Sequence, residues 1–283
     1  MKIVLAGAYG HLGSDIFREL LEQGHEVVAA DIVETELGLI GDYTYKKMDV
    51  TSPAALKGLC DGADIVITTV GLTKTSATLT NYEIDYQGNL NLLREAQAAG
   101  VKKFIYISVL QADQAPEIPM LHAKYQMEEE IKKSGIPYII YRPTGYFYDI
   151  IHVFRPMVEK GTVTLLGKKP VRANVIDTPD FAEYIVSHLS DQNLTVPIGG
   201  TETYTYEEIA RMCFAAEGKD AVIRHAPVWL FDLLIFINHL KKNGKEPIIR
   251  FSKWTLTHSM VAQVQYGKHS FAEYIANSFG EDE

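Results

Sequence analysis

The sequence predicts an α/β fold, a doubly wound parallel sheet with a smaller C-terminal cap. Three observations carry this expectation. A short apolar strand runs into a glycine turn and an amphipathic helix, strands and helices then alternate as far as residue 143, and the pattern loses regularity beyond that point.

Lys2 to Ala6 reads as a buried strand, and after the glycines Ile16, Phe17, Leu20 and Leu21 recur at helical spacing up to Gly24. Glu26 to Ala30 forms a second strand ending at Asp31, and Tyr43 to Met48 a third ending at Asp49. Ser52 and Pro53 supply an N-cap and a first helical position for the short AALKGL helix, and Ala63 to Val70 returns as a strand. Asn81 to Ala99 reads as a long helix closed by Gly100, Lys103 to Ser108 as a strand, His122 to Lys133 as a helix closed by Gly135, and Pro137 to Tyr141 as another strand. Strands and helices alternating at this pitch imply a parallel sheet covered on both faces. Further on, Thr178-Pro179 marks a helix start, and Thr205 with Glu208 marks another as a capping box. Without an internal repeat or a Gly/Pro/Ser-rich linker, the predicted division is residues 1–150 as one domain and 151–283 as a cap, partly interleaved with the sheet and folded over its carboxyl edge. Gly280 to Glu283 reads as a frayed acidic tail.

Composition narrows the function classes. Lysine and arginine total 27 against 36 acids, a formal charge of −9, so the molecule as a whole repels phosphate backbones and nucleic acid is not an expected partner. Cys60 and Cys213 stand far apart and outside any zinc-ligand spacing, so neither a metal site nor a disulfide framework is expected. The N-terminal apolar run is broken by glycines, His11 and Asp15, unlike a signal peptide, so the expected address is cytoplasmic. The longest apolar stretch, Val228 to Ile237, is interrupted by Asp232 and falls short of the ~20 residues of a membrane span. It reads as a helix packed into a core or a homo-oligomer interface, with contact at a membrane surface as the other reading.

Gly7-Ala8-Tyr9-Gly10-His11-Leu12-Gly13 follows the first strand and opens the first helix, with GxxGxxG spacing. Glycine permits positive φ and close backbone approach to a pyrophosphate, and the N–H groups and dipole of the helix start favour negative charge. Asp31 lies 18 residues past Gly13, near the ~20-residue offset at which a carboxylate accepts hydrogen bonds from adenosine ribose hydroxyls. A 2′-phosphate there would meet a like charge, and neither the glycine turn nor Ile32 to Glu36 offers a cation. These residues predict a Rossmann-type domain that binds NAD in preference to NADP.

Three segments together resemble the extended and atypical short-chain dehydrogenase/reductase families, in particular the NmrA-like group: GAYGHLG, then NYEIDYQGNLNLLREAQAAGVKKFIYIS, then KYQMEEEIKKSGIPYIIYRPTG. The resemblance spans roughly residues 1 to 150. It implies Asp49 and Val50 beside the adenine, Val70 and Gly71 under the adenosine, Lys124 on the nicotinamide ribose hydroxyls, and Pro143, Thr144 and Gly145 bordering the nicotinamide. It also implies an active-site serine, for which Ser108 is the candidate although strand alignment puts Val109 at the equivalent position. The family's tyrosine belongs four residues before the lysine, and Met120 stands there, so the standard proton relay is missing. Tyr125 is about 100° further round the helix and is no replacement. His122, Tyr146 and Tyr148 are the remaining candidates to line a substrate site.

The function this predicts is an NAD-dependent oxidoreductase, or a related epimerase or dehydratase, whose cap selects a small organic substrate. The alternative is a noncatalytic NAD(H)-responsive regulatory or assembly protein, and the broken Tyr-x-x-x-Lys pair is its main support. An assembly factor that keeps a nucleotide for stability would dock through Val228 to Ile237.

Overall fold

A computed structural model describes residues 1–72, 78–241 and 244–280. Of the expected acidic tail, residues 281–283 lie outside the described residues. The first half runs β1 (Lys2–Ala6), α1 (His11–Glu22), β2 (Glu26–Asp31), β3 (Tyr43–Lys47), α2 (Pro53–Leu56), β4 (Ile65–Thr68), a π-helix (Tyr82–Gly88) leading into α3 (Asn89–Ala98), β5 (Lys103–Ile107), α4 (Pro119–Lys133) and β6 (Tyr138–Pro143). There follow α5 (Phe147–Glu159), β7 (Val163–Leu166), β8 (Arg172–Ala173), α6 (Thr178–Ser187), β9 (Leu194–Gly199), β10 (Tyr204–Thr205), α7 (Tyr206–Ala216), β11 (Ile223–Ala226), α8 (Trp229–Lys241), α9 (Glu246–Thr257), β12 (Val264–Gln265) and α10 (Phe271–Gly280).

Eight strands form one parallel sheet in the order β12-β9-β6-β5-β4-β1-β2-β3, with helices on both sides, a Rossmann-like α/β fold. β1 is central because its residues are apolar on both faces: Ile3, Val4, Leu5 and Ala6 are all fully buried. Its register sets Val4 against Val28 of β2 and Val66 of β4. These valines join Ala6, Ala30, Phe104 and Tyr106, and Leu92, Leu93, Ala96, Met127 and Ile131 of α3 and α4, in one core cluster. α1 packs on β1 and β2 and buries Ile16, Phe17, Leu20 and Leu21. The chain travels outward from β1 through β2 to β3, then crosses back to β4, β5 and β6. The carboxyl ends of β1 and β4 therefore flank the switch point where open α/β sheets place their ligands.

Two helices differ from the sequence expectation. The helix expected over 81–99 starts as a π-helix, because the buried Asn89 amide donates to the carbonyls of Ile84, Asp85 and Val70 while its oxygen accepts from Thr68 Oγ1. Those side-chain bonds replace regular helical pairing locally. α4 starts at Pro119 rather than His122, since Ile118 takes an extended cap conformation and proline at the first position has no N–H to satisfy.

The chain divides into two compact units, residues 1–142 with 181–196, and 143–180 with 197–283. In the second, β8 pairs with β10 and β7 with β11, and α7 packs against both α5 and α10. The Thr205–Glu208 capping box forms as the sequence implies: Thr205 Oγ1 accepts from Glu208 N, and Glu208 Oε2 from Thr205 N. The carboxyl of Glu208 is held below its ordinary value by those bonds to Thr205.

Candidate functional site

The glycine turn joins β1 to α1, and its three glycines do different things. Gly7 has φ +82°, and a Cβ there would lie 2.5 Å from Thr69 Oγ1. A Cβ on Gly13 would sit 1.9 Å from the Gly7 carbonyl oxygen, so α1 can cross the turn this closely only without a side chain. Gly10 is different: its φ of −73° suits any residue, and a Cβ would meet only Gly7 O, at 3.5 Å. The fold does not require glycine at position 10, whereas close approach of the protein backbone to a ligand would. His11 begins the helix, Leu12 is buried beneath it, and Ser14 N already donates to Gly10 O.

Asp31, at the end of β2, closes over this turn. Its Oδ2 accepts from Tyr9 N at 3.0 Å and its Oδ1 from Ile32 N at 2.7 Å, which fixes a carboxylate beside the loop. The Tyr9 ring packs against Phe17 and Tyr45, and burial, aided by Glu34, pushes its phenol up to about 12. The register of β3 places Lys47 opposite Asp31, a cation that sequence proximity does not reveal. Further along that edge Asp49 is exposed and bonded to the amide and hydroxyl of Thr51, while Val50 is buried, with its carbonyl accepting from Asn91 Nδ2.

At the end of β4, Thr69 donates from its amide to Ala6 O and from its hydroxyl to Gly7 O, tying the ends of β1 and β4 together. Val70 follows, and its carbonyl accepts from Asn89. A Cβ on Gly71 would lie 2.8 Å from Asp85 Oδ1 and 3.3 Å from Lys124 Nζ. Gly71 thus abuts an ion pair in which Lys124 Nζ stands 3.3 Å from Asp85 Oδ1, with Asp85 1% exposed. Asn81 Nδ2 and Leu72 N donate to the other oxygen, Asp85 Oδ2. Lys124 also donates to Ile107 O at 3.2 Å and lies 5.4 Å from the centre of the Tyr106 ring.

The structure brings the Gly7–Gly13 turn, Asp31, Val70 and Gly71 to the carboxyl edge of the first unit's sheet, and sets Lys124 against Gly71. It places Ser108 in a different network. The Ser108 hydroxyl donates to Glu128, which is fully buried and bound bidentately by Arg142, which in turn reaches Asp113. Met120 is one helical turn before Lys124 in α4, and Tyr125 turns its ring toward Lys132. Pro143, Thr144 and Gly145 open the second unit, where Thr144 N donates to Ile198 O and its hydroxyl to Asn174 O. Tyr146 and Tyr148 stack in that unit at 5.8 Å, and burial holds the Tyr146 phenol well above its ordinary value, which disfavours proton transfer at neutral pH.

Sequence reasoning missed Asp85, an acid on the buried side of its helix between the buried Asn81 and Asn89, and Lys47, whose signal exists only in strand register. Glu128 and Arg142 lie in the third of the resembling segments, where the resemblance implies no role for either.

A glycine turn at the switch point of a Rossmann-like sheet, closed by a carboxylate on the second strand, defines a dinucleotide-binding protein. The chain belongs to the NAD(P)H-binding family, whose match covers residues 7–192. It is similar to the photosystem II assembly factor Ycf39 of Guillardia theta, with 28% identity over 253 residues that cover 85% of this chain and 77% of that one. It is also similar to the chloroplastic divinyl chlorophyllide a 8-vinyl-reductase of Oryza sativa subsp. indica, with 26% identity over 264 residues that cover 83% of this chain and 63% of that one. In fold it resembles an NADPH-dependent quinone oxidoreductase from Escherichia coli solved with NADPH, at TM-score 0.75 and 18% identity over 98% of this chain and 100% of the other. No helix among the described residues is long and apolar enough to cross a membrane.

Proposed function

We propose that the chain is a nicotinamide-dinucleotide-binding protein that favours NAD(H) over NADP(H) and serves protein assembly, as the Ycf39 relatives do, rather than alcohol or ketone turnover. The observation that carries this reading is the Lys124–Asp85 pair with Met120 one turn before it. In the dehydrogenase arrangement a lysine ammonium lowers the pKa of a neighbouring tyrosine that moves the proton. Here the ammonium faces a buried carboxylate that offsets its charge, and methionine carries no proton.

The residues fit a dinucleotide. Gly10 leaves room at the helix start for a pyrophosphate, and Asp31 keeps lone pairs for ribose hydroxyls and a charge that repels a 2′-phosphate. As the family resemblance implies, Asp49 and Val50 would border the adenine, Val70 and Gly71 the adenosine, and Lys124 would donate to the nicotinamide ribose. When bound, the nicotinamide supplies hydride chemistry, and the chain's own groups bind and orient it.

A second reading is a reductase. The placement of Lys124 against Gly71 and the resemblance to the vinyl-reductase favour it, because hydride delivery depends on orientation more than on a tyrosine. Titration with NADH, followed by assay of NADH oxidation with quinone, aldehyde and vinyl acceptors, separates the two. The assembly reading expects saturable NADH binding without turnover on any of them. Catalytic oxidation of NADH by any one acceptor overturns it in favour of the reductase.

A further inference from the structure

We infer that α8 and α9 form a docking surface for an anionic lipid bilayer, on which the second unit lies peripherally through α8. Trp229, Leu233, Phe236 and Leu240 follow i, i+4, i+7, i+11 spacing and so form one stripe along α8. Their exposures are 60%, 46%, 58% and 64%, and Leu234 beside them is 44% exposed. No other helix among the described residues carries more than one exposed large apolar side chain. Only Ile235 of α8 is buried, so the helix turns most of its apolar surface outward, although it packs on α9. At 13 residues it lies far below the ~20 needed to span a bilayer.

Charge selects the occupant. The chain as a whole carries −9, yet residues 229–258 contain five lysines and arginines against two acids. Both acids are engaged within the hairpin: Asp232 with Lys253 at 2.5 Å, and Glu246 with Arg250 and His239 at 2.8 Å each. A basic apolar segment with tryptophan at one end and lysine at the other, in an otherwise acidic protein, has the composition of an interfacial helix facing anionic headgroups. Protein–protein interface cores are instead depleted in lysine. This inference rests on the second unit's surface alone and is independent of the cofactor reading.

The test is binding of the full chain to sedimenting vesicles of phosphatidylcholine with and without phosphatidylglycerol. Each basic residue near such a surface contributes about 1 kcal/mol, or roughly fivefold, so the anionic vesicles are expected to bind at least ~10-fold more tightly, with the difference shrinking at high salt. With Trp254→Phe, Trp229 is the sole tryptophan, and its emission shifts to the blue on those vesicles. Phe236→Gln with Leu240→Gln abolishes binding while circular dichroism stays native, and Lys241→Glu with Lys245→Glu removes the preference for phosphatidylglycerol and leaves the stripe intact. Absence of binding to either vesicle, or binding that survives the glutamine pair, overturns the inference. So does a concentration-dependent dimer that the glutamine pair dissolves, because the stripe would then belong to a second copy of the chain.

Discussion

Lys124 Nζ lies 3.3 Å from Asp85 Oδ1, so a lysine on α4 and an acid on the π-helix neutralise one another beneath Gly71. Removing one member leaves the other charge poorly solvated. Lys124→Met is expected to destabilise the chain by about 2–4 kcal/mol, below the 3–5 of a fully buried pair because the lysine keeps 12% exposure. Adding Asp85→Leu should recover part of that loss, a coupling of about 0.5–3 kcal/mol in a urea double-mutant cycle. Strictly additive effects would mean that the pair does not interact. Lys124→Met should also weaken NADH binding, and unchanged affinity would remove Lys124 from the cofactor site.

Gly13 and Gly10 of the turn should separate by phenotype. Gly13→Ala should lower the melting temperature sharply, since its methyl would overlap the Gly7 carbonyl. Gly10→Ala should cost no more than about 1 kcal/mol, as expected at an N-cap, yet reduce NADH affinity at least ~10-fold by occupying the pyrophosphate's space. A Gly10→Ala variant that binds NADH normally would place the phosphates elsewhere.

NADH should bind more tightly than NADPH in calorimetric titration. Asp31→Asn keeps an acceptor for Tyr9 N and removes the charge, so it should shift the ratio toward NADPH by at least ~5-fold, with Lys47 across the strand left to meet a 2′-phosphate. Lys47→Gln in that background should take back part of the gain. Equal affinities throughout would make Asp31 a turn residue only.

Cys60 and Cys213 are fully inaccessible, and burial pushes both thiols up to about 12. Thiolate is the reactive form, so a thiol reagent at neutral pH should label neither in the folded chain and both in denaturant. Rapid native labelling of either would show that its surroundings open.

Glu208 supplies a pH-dependent contribution. Its carboxyl is depressed in the folded chain by Thr205, so its stabilisation is complete above the unfolded glutamate value of about 4.3 and disappears as pH falls through the lower folded value. The melting temperature of Glu208→Gln should therefore lie below that of the wild type at neutral pH and converge with it in acid. A gap that persists in acid would assign the effect to packing.

Much of the fold is legible locally. The apolar run Ile3 to Ala6, the glycine turn and the amphipathic α1 announce the opening βαβ unit, and Thr205 with Glu208 announces α7, because each signal lies within one element and its immediate neighbours. GxxGxxG and Asp31 marked the carboxyl edge of the sheet for the same reason. The boundary of α4 and the π-helix were not legible. The π-helix follows from Asn89 donating to Ile84 and Asp85 within the helix and to Val70 on the neighbouring loop, and no periodicity encodes the last of these bonds.

The family resemblance put Met120 where a tyrosine is expected, and the sequence by itself determined the class of fold, the glycine turn and the acid on the second strand. Those depend on spacing along one strand or one helix, which fixes side-chain direction without reference to the rest of the molecule. Only the tertiary structure decided that Lys124 meets Asp85, that Ser108 serves the Glu128–Arg142 network, and that Lys47 stands opposite Asp31. Each joins elements distant in sequence, and their partners are selected by strand register and helix packing, properties of the assembled sheet that no single segment carries.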